Sequence, residues 1–357
     1  MNITFVLPGA GIRPIGGMKV VYEYANHLVS RGHDVSIVHP AILEIDTPWS
    51  DKPRKMVRYV QRRVDKSYLP KNWFNLDPRV RILWVKSLKE KFIPNADVIV
   101  ATAWPTAEWV AGYAADKGRK YYLIQHYETW SGPEDRVRRT WVLPLKKIVI
   151  AKWLKDIAAD LGQKSVYIPN GLNFSCFGLD VPIEDRNHKS VMMLYHDQAW
   201  KGSHDGIQAM SKVRELHPDL KVTMFGVPNG CGLPEWIEYH RMPDQKRLRW
   251  LYNQSAIFLA PSWSEGWGLP ATEAMMCGCA LVATDIGGHQ EFAKNNVTAL
   301  LAKAKDSQSL AEAVLRLIKE ADKLQVLARA GNAYIQQFTW KRACDLLEDL
   351  LLREGIQ

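Results

Sequence analysis

Short runs of apolar, β-branched residues alternate along the chain with stretches in which apolar residues recur every three or four positions. The first pattern predicts buried strands and the second predicts amphipathic helices. The predicted strands are 3–8, 35–39, 80–85, 97–103, 120–125, 147–151 and 165–168, followed by 190–196, 221–226, 256–261, 280–284 and 299–302. The predicted helices are 18–31, 104–117, 152–162, 203–216, 269–278 and 307–320. This alternation indicates parallel sheets covered by helices on both faces.

The strand and helix pattern forms two series, which are separated by turn residues at 168–171. A chain of 357 residues is long enough for two domains. We therefore predict an α/β protein with two doubly wound, Rossmann-like domains, 1–166 and 167–338. Residues 339–357 contain a separate amphipathic helix, which we expect to pack back toward the N-terminal domain. Ligands of such sheets bind beyond the carboxyl ends of the strands, so functional residues are expected there.

The composition limits where the protein acts. No run of 18 apolar residues occurs, so no membrane-spanning helix is predicted. The N-terminus has the pattern of a strand rather than that of a secretion signal. Five cysteines, an odd and small number, are typical of a reducing compartment, and we expect a cytoplasmic protein. Cys277 and Cys279 are expected to be two buried small side chains, because no second pair follows at the spacing of a zinc site.

The positive charge is concentrated in the first half of the chain. Residues 1–165 hold 27 Lys and Arg against 16 Asp and Glu, whereas the whole chain has a net charge of +9. Much of the excess lies in 52–66, where apolar residues between the basic ones predict an amphipathic helix. Three interpretations are open: contact with an anionic membrane surface, a solvated basic face over ordinary core contacts, or nucleic-acid binding, which no recognition motif accompanies.

Glycines follow the first predicted strand, but they do not form a dinucleotide-binding fingerprint. Pro14 stands at the third glycine position, and no acidic residue ends the strand at 35–39. Gly16 and Gly17 directly precede a helix, where backbone N–H groups and the helix dipole favour a phosphate. A tight turn would explain these two glycines equally well.

The strongest chemical signal is a pair of glutamates after the strand at 256–261. Glu265 lies in the predicted loop, and Glu273 lies one turn inside the following helix. A carboxylate accepts hydrogen bonds from neighbouring hydroxyls, so Glu273 suits a ribose and Glu265 a sugar. A hydrolase would need its two acids on opposite sides of one bond, which this spacing does not favour. Two surface glutamates at a helix start would leave the nearby Gly266 and Gly268 unexplained.

Single polar residues follow two other strands. Lys201 and Gly202 come after the strand at 190–196 and open a helix, which would place one cation over a diphosphate. His126 follows the strand at 120–125, where an imidazole can donate to or accept from a bound sugar. A surface lysine and a structural histidine are the plain alternatives at these two positions.

Together these residues resemble the retaining glycosyltransferases of family 4. Glu265 and Glu273 match the E-x7-E signature of that family, and Gly16 and Gly17 match its N-terminal glycine loop. Further matching segments are 167–171, 201–202, 224–226, 251–253, 258–262 and 285–291. The likeness covers nearly the whole chain and is most specific in 166–295.

The resemblance implies a GT-B architecture, in which two Rossmann-like domains face each other across a cleft. It also implies metal-independent transfer from a nucleoside-diphosphate sugar with retention at the anomeric carbon. By position, Glu273 would hold the donor ribose, Glu265 the transferred sugar and Lys201 the diphosphate. The catalytic residues would be His126, Lys201 and Glu265, and the remaining donor contacts Gly16, Gly17, His196, Arg241, Met242, Gly266, Trp267, Gly268 and Leu269.

One position departs from the family pattern. An arginine usually stands five or six residues before the lysine, but this chain has Tyr195 and His196 there. Either His196 supplies a weaker, pH-dependent charge or another cation substitutes for the arginine. The run at 125–128 is similar to a subset of the family that includes polysaccharide rhamnosyltransferases.

The function expected from the resemblance is transfer of a hexose or deoxyhexose to a glycan or lipid-linked acceptor in polysaccharide or glycoconjugate synthesis. No D-x-D stretch occurs, so no metal ion and no other cofactor is expected. Three alternatives stay open: a non-catalytic nucleotide-sugar-binding protein, a sugar-nucleotide epimerase, and nucleic-acid binding by the basic half. Attachment to the inner face of the cell membrane through 52–66 would suit a lipid-linked acceptor.

Overall fold

A computed structural model describes residues 1–10, 12, 14–43 and 52–353. The chain divides into two compact units, Met1–Gly171 with Trp340–Gln357, and Leu172–Thr339. The first unit thus ends at residue 171, the last residue of the turn segment 168–171. The predicted end of the N-terminal domain was residue 166, five residues earlier. At the start of the second unit, the Leu172 N–H bonds the Phe338 carbonyl at 2.8 Å, which holds the two ends of that unit together.

The described residues of the first unit form a seven-stranded parallel sheet in the order β3-β2-β1-β4-β5-β6-β7. Its strands are β1 (Asn2–Val6), β2 (Asp34–Pro40), β3 (Arg81–Val85), β4 (Val98–Ala101), β5 (Arg119–Ile124), β6 (Lys146–Val149) and β7 (Ser165–Tyr167). Its helices are α1 (Gly16–Ser30), α2 (Lys52–Asp65), α3 (Trp104–Ala111), α4 (Glu134–Trp141), α5 (Lys152–Asp160) and the C-terminal α11 (Trp340–Arg353).

The second unit has a parallel sheet whose six described strands follow the order β10-β9-β8-β11-β12-β13. The strands are β8 (Ser190–Tyr195), β9 (Lys221–Gly226), β10 (Ile237–Arg241), β11 (Ile257–Ala260), β12 (Ala280–Thr284) and β13 (Ala299–Ala302). The helices are α6 (Ser203–Leu216), α7 (Gln245–Gln254), α8 (Leu269–Met276), α9 (Ser307–Lys319) and α10 (Ala321–Ile335). The central strands β8, β11 and β12 are almost wholly buried, as expected for a sheet covered on both faces.

All twelve predicted strands are present, with ends that differ by at most two residues. The prediction missed β10, because this strand lies at the edge of its sheet and only Ile237 along it is buried. The predicted helix at 104–117 was wrong in its length, since α3 ends at Ala111 and Gly112 follows as its cap. Helices α4, α7 and α10 were not predicted.

The C-terminal helix α11 (Trp340–Arg353) belongs to the first unit, where it packs on α1. The Trp340 indole lies edge-on to the buried ring of Tyr24, with 5.1 Å between ring centroids. At the C-terminal end of α1, the Arg31 guanidinium forms ion pairs with two carboxylates of α11, with Asp345 at 2.7 Å and Glu348 at 2.6 Å. An aromatic contact and a bridging guanidinium thus hold the last described helix in place.

The basic segment forms the predicted helix α2, but its valines do not face the core. Val57, Val60 and Val64 are 67%, 54% and 78% exposed. Tyr59 turns inward instead: its ring stacks on that of Trp84, and its carbonyl accepts from the Trp84 indole N–H at 3.0 Å. The interpretation of 52–66 as a basic face over ordinary core contacts was therefore wrong for the valines.

Candidate functional site

A pocket in the second unit opens at the carboxyl ends of three neighbouring strands, β8, β11 and β12. The loop after β8 brings Lys201, the loop after β11 brings Glu265, and the turn after β12 brings His289. The lining residues are Leu194, Lys201, Leu259, Ala260, Pro261, Ser262, Glu265, Gly268, Pro270, Ala271 and His289. The structure thus brings together Lys201 and Glu265, which sequence reasoning placed at separate strand ends.

Lys201 and Glu265 form a close ion pair in this pocket. The Lys201 ammonium donates to both carboxylate oxygens of Glu265, at 2.7 Å to Oε1 and 2.8 Å to Oε2. The Ser262 hydroxyl donates to Oε1 as well, at 2.8 Å. An ammonium has three N–H groups. Within the described part of the chain no third acceptor is recorded for Lys201, so one N–H remains for an anion.

Opposing effects act on the Glu265 carboxyl. Burial raises its pKa, but the Lys201 ammonium and the Ser262 hydroxyl stabilise the carboxylate, and the net result is a pKa below the usual value. The Glu265 side chain is only 12% exposed and that of Lys201 is 24% exposed. The Glu265 carboxyl therefore stays ionised at neutral pH in a poorly solvated place, where the ion pair acts strongly on a nearby charge.

Two glycines allow the loops of the pocket to approach one another. Gly202 has a positive φ of 65°, and a Cβ there would lie 2.0 Å from the Pro261 carbonyl oxygen. Gly268 has a φ of 105° and directly precedes α8, whose second residue is Pro270. Glycine tolerates both conformations without steric cost. The backbone of the loop after β8 thus lies against the end of β11, and α8 begins at the pocket edge, which Gly268 and Pro270 line.

His196 does not carry a positive charge at neutral pH. Burial and the nearby Lys201 ammonium lower the pKa of its imidazole, although Asp197 and Glu265 act in the opposite direction. Its Nδ1 accepts a hydrogen bond from the Gln198 N–H at 3.0 Å, which a protonated Nδ1 could not do. The suggestion that His196 supplies the charge of the missing arginine is therefore not favoured by its surroundings.

Glu273 and Trp267 are buried more deeply than the pocket lining. Glu273 is 7% exposed, and its Oε2 accepts from the Tyr252 hydroxyl at 3.3 Å. Trp267 is 2% exposed and lies edge-on to Phe338, with 5.2 Å between ring centroids. A donor contact at Trp267 would thus involve its backbone. Neither side chain is part of the pocket lining.

The remaining residues predicted for donor binding in this unit lie at backbone turns. Arg241 ends β10, is exposed and donates from Nε to the Val227 carbonyl at 3.3 Å. Met242 follows with a φ of 48° and is 45% exposed. Gly266 is buried in the loop before α8, and Leu269 is the first residue of that helix. Their roles toward a donor stay predictions.

In the first unit, the predicted glycines open α1 beside the end of β5. Gly16 and Gly17 are the first two residues of α1. The Gly17 carbonyl accepts from the Gln125 side chain at 3.1 Å, so the segment after β5 is tied to the helix start. The His126 ring lies edge-on to Trp130 at 4.2 Å and to Trp153 at 5.4 Å between centroids. This packing supports a structural role for His126, and its role toward a sugar stays a prediction.

Glu128 is a titratable residue of this segment to which the sequence analysis gave no role. Its carboxylate accepts from the Trp104 N–H at the start of α3, at 2.8 Å. Burial nevertheless raises its pKa to about 7. Its position shortly after β5 is the same strand-end signal that singled out His126.

His289, Thr284 and Ser262 were missed as individual site residues, although the matching segments contain Ser262 and His289. Ser262 holds Glu265, while Thr284 donates to the Ser262 carbonyl at 2.5 Å. His289 is 1% exposed and lies in the short turn after β12. Each of the three lies at or after the end of a strand, which is the signal that could have identified them.

The described residues contain no cluster of three or more His, Cys, Asp or Glu side chains that could hold a metal ion. Cys277 and Cys279 are both buried. Burial raises the pKa of the Cys279 thiol to about 11 and that of Cys277 further still, so thiolates are disfavoured. In the same part of the chain, no helix is long and apolar enough to cross a membrane.

Comparison with known proteins gives the class of this fold. A family model described as "Glycosyl transferases group 1" matches residues 182–334, and one described as "Glycosyltransferase Family 4" matches residues 15–175. Between them the two models match most of the chain, one in each half. Each model covers less than half of the chain, so the first half is similar to one glycosyltransferase family and the second half to the other.

Solved structures of similar fold align over almost the whole chain. HepE of Anabaena, described in complex with UDP and glucose, aligns with a TM-score of 0.71 at 15% identity, over 99% of this chain and 100% of that one. Sucrose-phosphate synthase of Thermosynechococcus elongatus aligns with a TM-score of 0.73 at 15% identity, over 99% of both chains. At this identity the likeness concerns the fold, which is the GT-B fold with two Rossmann-like domains.

Curated relatives match over shorter regions. A D-inositol 3-phosphate glycosyltransferase of Rhodococcus erythropolis is 32% identical over 160 residues, which is 40% of this chain and 36% of the relative. One of Corynebacterium urealyticum is 28% identical over 170 residues, 43% of this chain and 40% of the relative. The chain thus spans well under half the length of these relatives.

Proposed function

We propose that this protein is a retaining glycosyltransferase that moves a hexose or deoxyhexose from a nucleoside-diphosphate sugar to a glycan or lipid-linked acceptor. The observation that carries the proposal is the ion pair of Lys201 and Glu265 in a pocket at the carboxyl ends of β8 and β11. The similarity to HepE, described with UDP and glucose, supports a nucleotide sugar as the donor. The inositol-phosphate glycosyltransferases among the relatives support a hydroxyl-bearing acceptor.

The chemistry of the proposal is electrostatic. When the bond from the sugar to the diphosphate breaks, negative charge develops on the leaving oxygens, and positioned donors lower the barrier. The spare N–H of Lys201 is such a donor. It would take the place of a metal ion, since the proposed reaction requires none. Gly16 and Gly17, at the start of α1, are the proposed second contact to the diphosphate, by resemblance alone.

The proposal is tested first by donor binding and then by turnover. Thermal unfolding is measured with UDP-, GDP- and dTDP-sugars, because a specific ligand stabilises the folded state by mass action. The stabilising donor is then incubated with glycan and lipid-linked acceptors, with and without EDTA. Expected results are acceptor-dependent release of diphosphate that EDTA does not affect and, by NMR, an unchanged anomeric configuration. Stabilisation by no donor would refute the proposal.

The ribose role of Glu273 is tested in the same assay. Glu273→Ala is expected to weaken donor binding in calorimetry, because a buried carboxylate that accepts ribose hydroxyls would be lost. Glu312→Ala, on the exposed face of α9, is the matched control and should bind the donor as the wild type does. Unchanged affinity of Glu273→Ala would remove the ribose assignment.

A second candidate function is a nucleotide-sugar-binding protein without transferase activity. The neutral state of His196 favours it, because the position of the family arginine then carries no positive charge. Such a protein would bind a sugar nucleotide but release no diphosphate with any acceptor. A sugar-nucleotide epimerase would instead convert the donor when no acceptor is present, so the same incubations separate the three functions.

We also propose that α2 attaches the protein to an anionic membrane surface, at the inner face of the cell membrane. The exposed valines at 57, 60 and 64 recur at helical spacing and form one apolar stripe. Exposed Arg54 and Arg58 lie on one side of this stripe and Arg63 on the other. An apolar stripe between cations suits the boundary between lipid headgroups and acyl chains. Attachment there would bring the protein to a lipid-linked acceptor.

Vesicle sedimentation tests the attachment. Wild-type protein is expected to sediment with vesicles of anionic lipid at low salt and less with neutral ones. Arg54→Gln with Arg58→Gln should reduce binding at least several-fold, since each cation near such a surface contributes about 1 kcal/mol. Arg138→Gln with Arg139→Gln, which removes the same charge from the exposed side of α4, is the matched control. Equal loss in both variants would show a general charge effect, and α2 would not be the contact.

A further inference from the structure

His289 stands in the pocket with a ring nitrogen that the site chemistry above does not use. The residue is 1% exposed and lines the pocket with Lys201 and Glu265. It reaches this place because the turn after β12 passes close to the loop of Glu265. A Cβ on Gly288 would lie 2.4 Å from the Glu265 carbonyl oxygen, so the two loops are in contact just before His289.

The hydrogen bond at Nδ1 determines the tautomer of this ring. Nδ1 lies 2.9 Å from the Thr284 carbonyl oxygen, which can only accept, so Nδ1 carries the proton. The Thr284 hydroxyl, 3.3 Å from Nδ1, donates its own hydrogen to the Ser262 carbonyl. It therefore cannot donate to Nδ1 and does not compete for that position.

Nε2 consequently bears a lone pair. Burial lowers the pKa of the imidazole, and the Lys201 ammonium adds to this effect, while Glu265 and the bond to Thr284 oppose it. The ring is thus neutral at neutral pH, with its proton on Nδ1. No hydrogen bond to Nε2 is recorded from any residue that the structure describes. Nε2 is not one of the fully buried side-chain atoms that lack a partner, so its lone pair is accessible from the pocket to a hydrogen that a ligand supplies.

The lone pair is directed to the edge of the pocket where α8 begins. A Cβ on Gly268 would lie 3.3 Å from Nε2 and 3.1 Å from the adjacent Cδ2, so only glycine leaves this edge of the ring uncovered. Gly268 itself lines the pocket. The pocket therefore presents a cation with a spare N–H at Lys201 and a neutral acceptor at His289.

We propose that His289 Nε2 accepts a hydrogen bond from a hydroxyl of the sugar moiety of a nucleotide sugar and thereby contributes to the selection of the donor sugar. The group it binds must carry a hydrogen, which an ionised phosphate lacks and a sugar hydroxyl has. The anionic part of the ligand would be left to Lys201. This inference rests on the proposed function and specifies one contact within it.

Two substitutions separate the two nitrogens of the ring. His289→Asn places an amide near the Nδ1 position, so it keeps the bond to Thr284 and removes the acceptor in the pocket. His289→Gln places an amide oxygen near the Nε2 position and retains an acceptor there. Affinities of both variants and of the wild type are measured by calorimetry for UDP, UDP-glucose, GDP, GDP-mannose, dTDP and dTDP-rhamnose.

The expected result concerns the sugar nucleotide that the wild type binds. His289→Asn should bind it roughly tenfold more weakly, as expected for one lost hydrogen bond, with its affinity for the matching diphosphate unchanged. His289→Gln should recover part of the difference. A merely structural role would weaken both ligands equally in each variant. Equal affinity of wild type and His289→Asn for the sugar nucleotide overturns the proposal and leaves the proposed function standing.

A measurement on the wild type covers the case in which His289→Asn does not fold. In ¹⁵N-labelled protein, the His289 ring should show a protonated Nδ1 and an unprotonated Nε2 at neutral pH. The Nε2 resonance should shift when the sugar nucleotide is added and much less when the diphosphate is added. A protonated Nε2, or equal shifts with both ligands, overturns the proposal. Failure of every nucleotide sugar to bind the wild type would overturn the proposed function together with it.

Discussion

The two ends of strand β8 carry ion pairs of the same chemical type in different surroundings. At the amino end, the Lys189 ammonium lies 3.0 Å and 2.8 Å from the two carboxylate oxygens of Asp219. At the carboxyl end, the Lys201 ammonium lies 2.7 Å and 2.8 Å from those of Glu265. Distance alone therefore does not distinguish the two pairs.

The two ion pairs differ in their burial and in their neighbouring groups. Asp219 is 65% exposed, so water screens its attraction to Lys189, and such a pair contributes little. Glu265 is 12% exposed, holds a second donor in Ser262 and lines a pocket. A charge in that place acts on a ligand with little screening, but it is expensive to leave without a partner. The comparison shows that the same type of ion pair is exposed to water at the amino end of β8 and lies poorly solvated in a pocket at the carboxyl end.

The largest expected difference between the two pairs is in turnover. Lys201→Ala should lower turnover by roughly 10²–10³, about 3–4 kcal/mol, by analogy with the loss of one donor to developing negative charge. Steady-state rates with the donor identified above measure this effect. Lys189→Ala removes a lysine with the same hydrogen-bond geometry and should leave the rate unchanged. If Lys201→Ala kept more than half of the wild-type rate, Lys201 would have no part in the reaction.

Much of this arrangement follows from strand ends that the sequence predicts well. Runs such as Ser190–Tyr195 and Ile257–Ala260 are apolar and buried, so their ends and the polar residues after them are located to within two residues. Parallel strands bring such residues to one edge of a sheet, which made Lys201 and Glu265 candidates for one site. Their direct contact was not predicted, because it depends on how closely the loops approach at Gly202.

Other features depend on neighbours that are distant in the chain. The valines of α2 face outward because the Tyr59 ring and carbonyl contact Trp84, a residue 25 positions away. The free lone pair of His289 depends on a carbonyl oxygen and a hydroxyl at Thr284, whose orientation no residue pattern encodes. The edge strand β10 has too few buried residues for a periodicity to identify it. In each case tertiary packing, rather than local pattern, decides the outcome.

The second expected difference is in stability. Lys201→Met should destabilise the second unit by about 2–3 kcal/mol, because Glu265 would remain buried with only the Ser262 hydroxyl as a partner. Lys189→Met should cost less than about 1 kcal/mol, as is usual for exposed pairs. Amide hydrogen exchange in β8, β11 and β12 measures the local effect, since the chain has two units and need not unfold in a single step. Equal protection of the amide hydrogens in Lys201→Met and Lys189→Met would show that the deeper burial of the Lys201–Glu265 pair has no effect on stability.

The smallest expected effect is a reversal in how the stability of the second unit depends on pH. In the wild type the pKa of Glu265 is lowered, so its carboxylate stabilises the fold above the ordinary carboxyl pKa, and this contribution is lost as the pH falls through the lowered value.

In Lys201→Met the burial remains and the cation is gone, so the pKa of Glu265 should lie above its ordinary value. Stability should then fall as the pH rises from about 4 to the raised value and stay level above it. Each tenfold change in proton affinity is worth about 1.4 kcal/mol. Hydrogen exchange of β11, corrected for its intrinsic rate at each pH between 3 and 8, measures the slope, and Lys189→Met should follow the wild type. If stability changed with pH in the same direction in Lys201→Met and in the wild type, Lys201 would not be the group that keeps the buried Glu265 ionised.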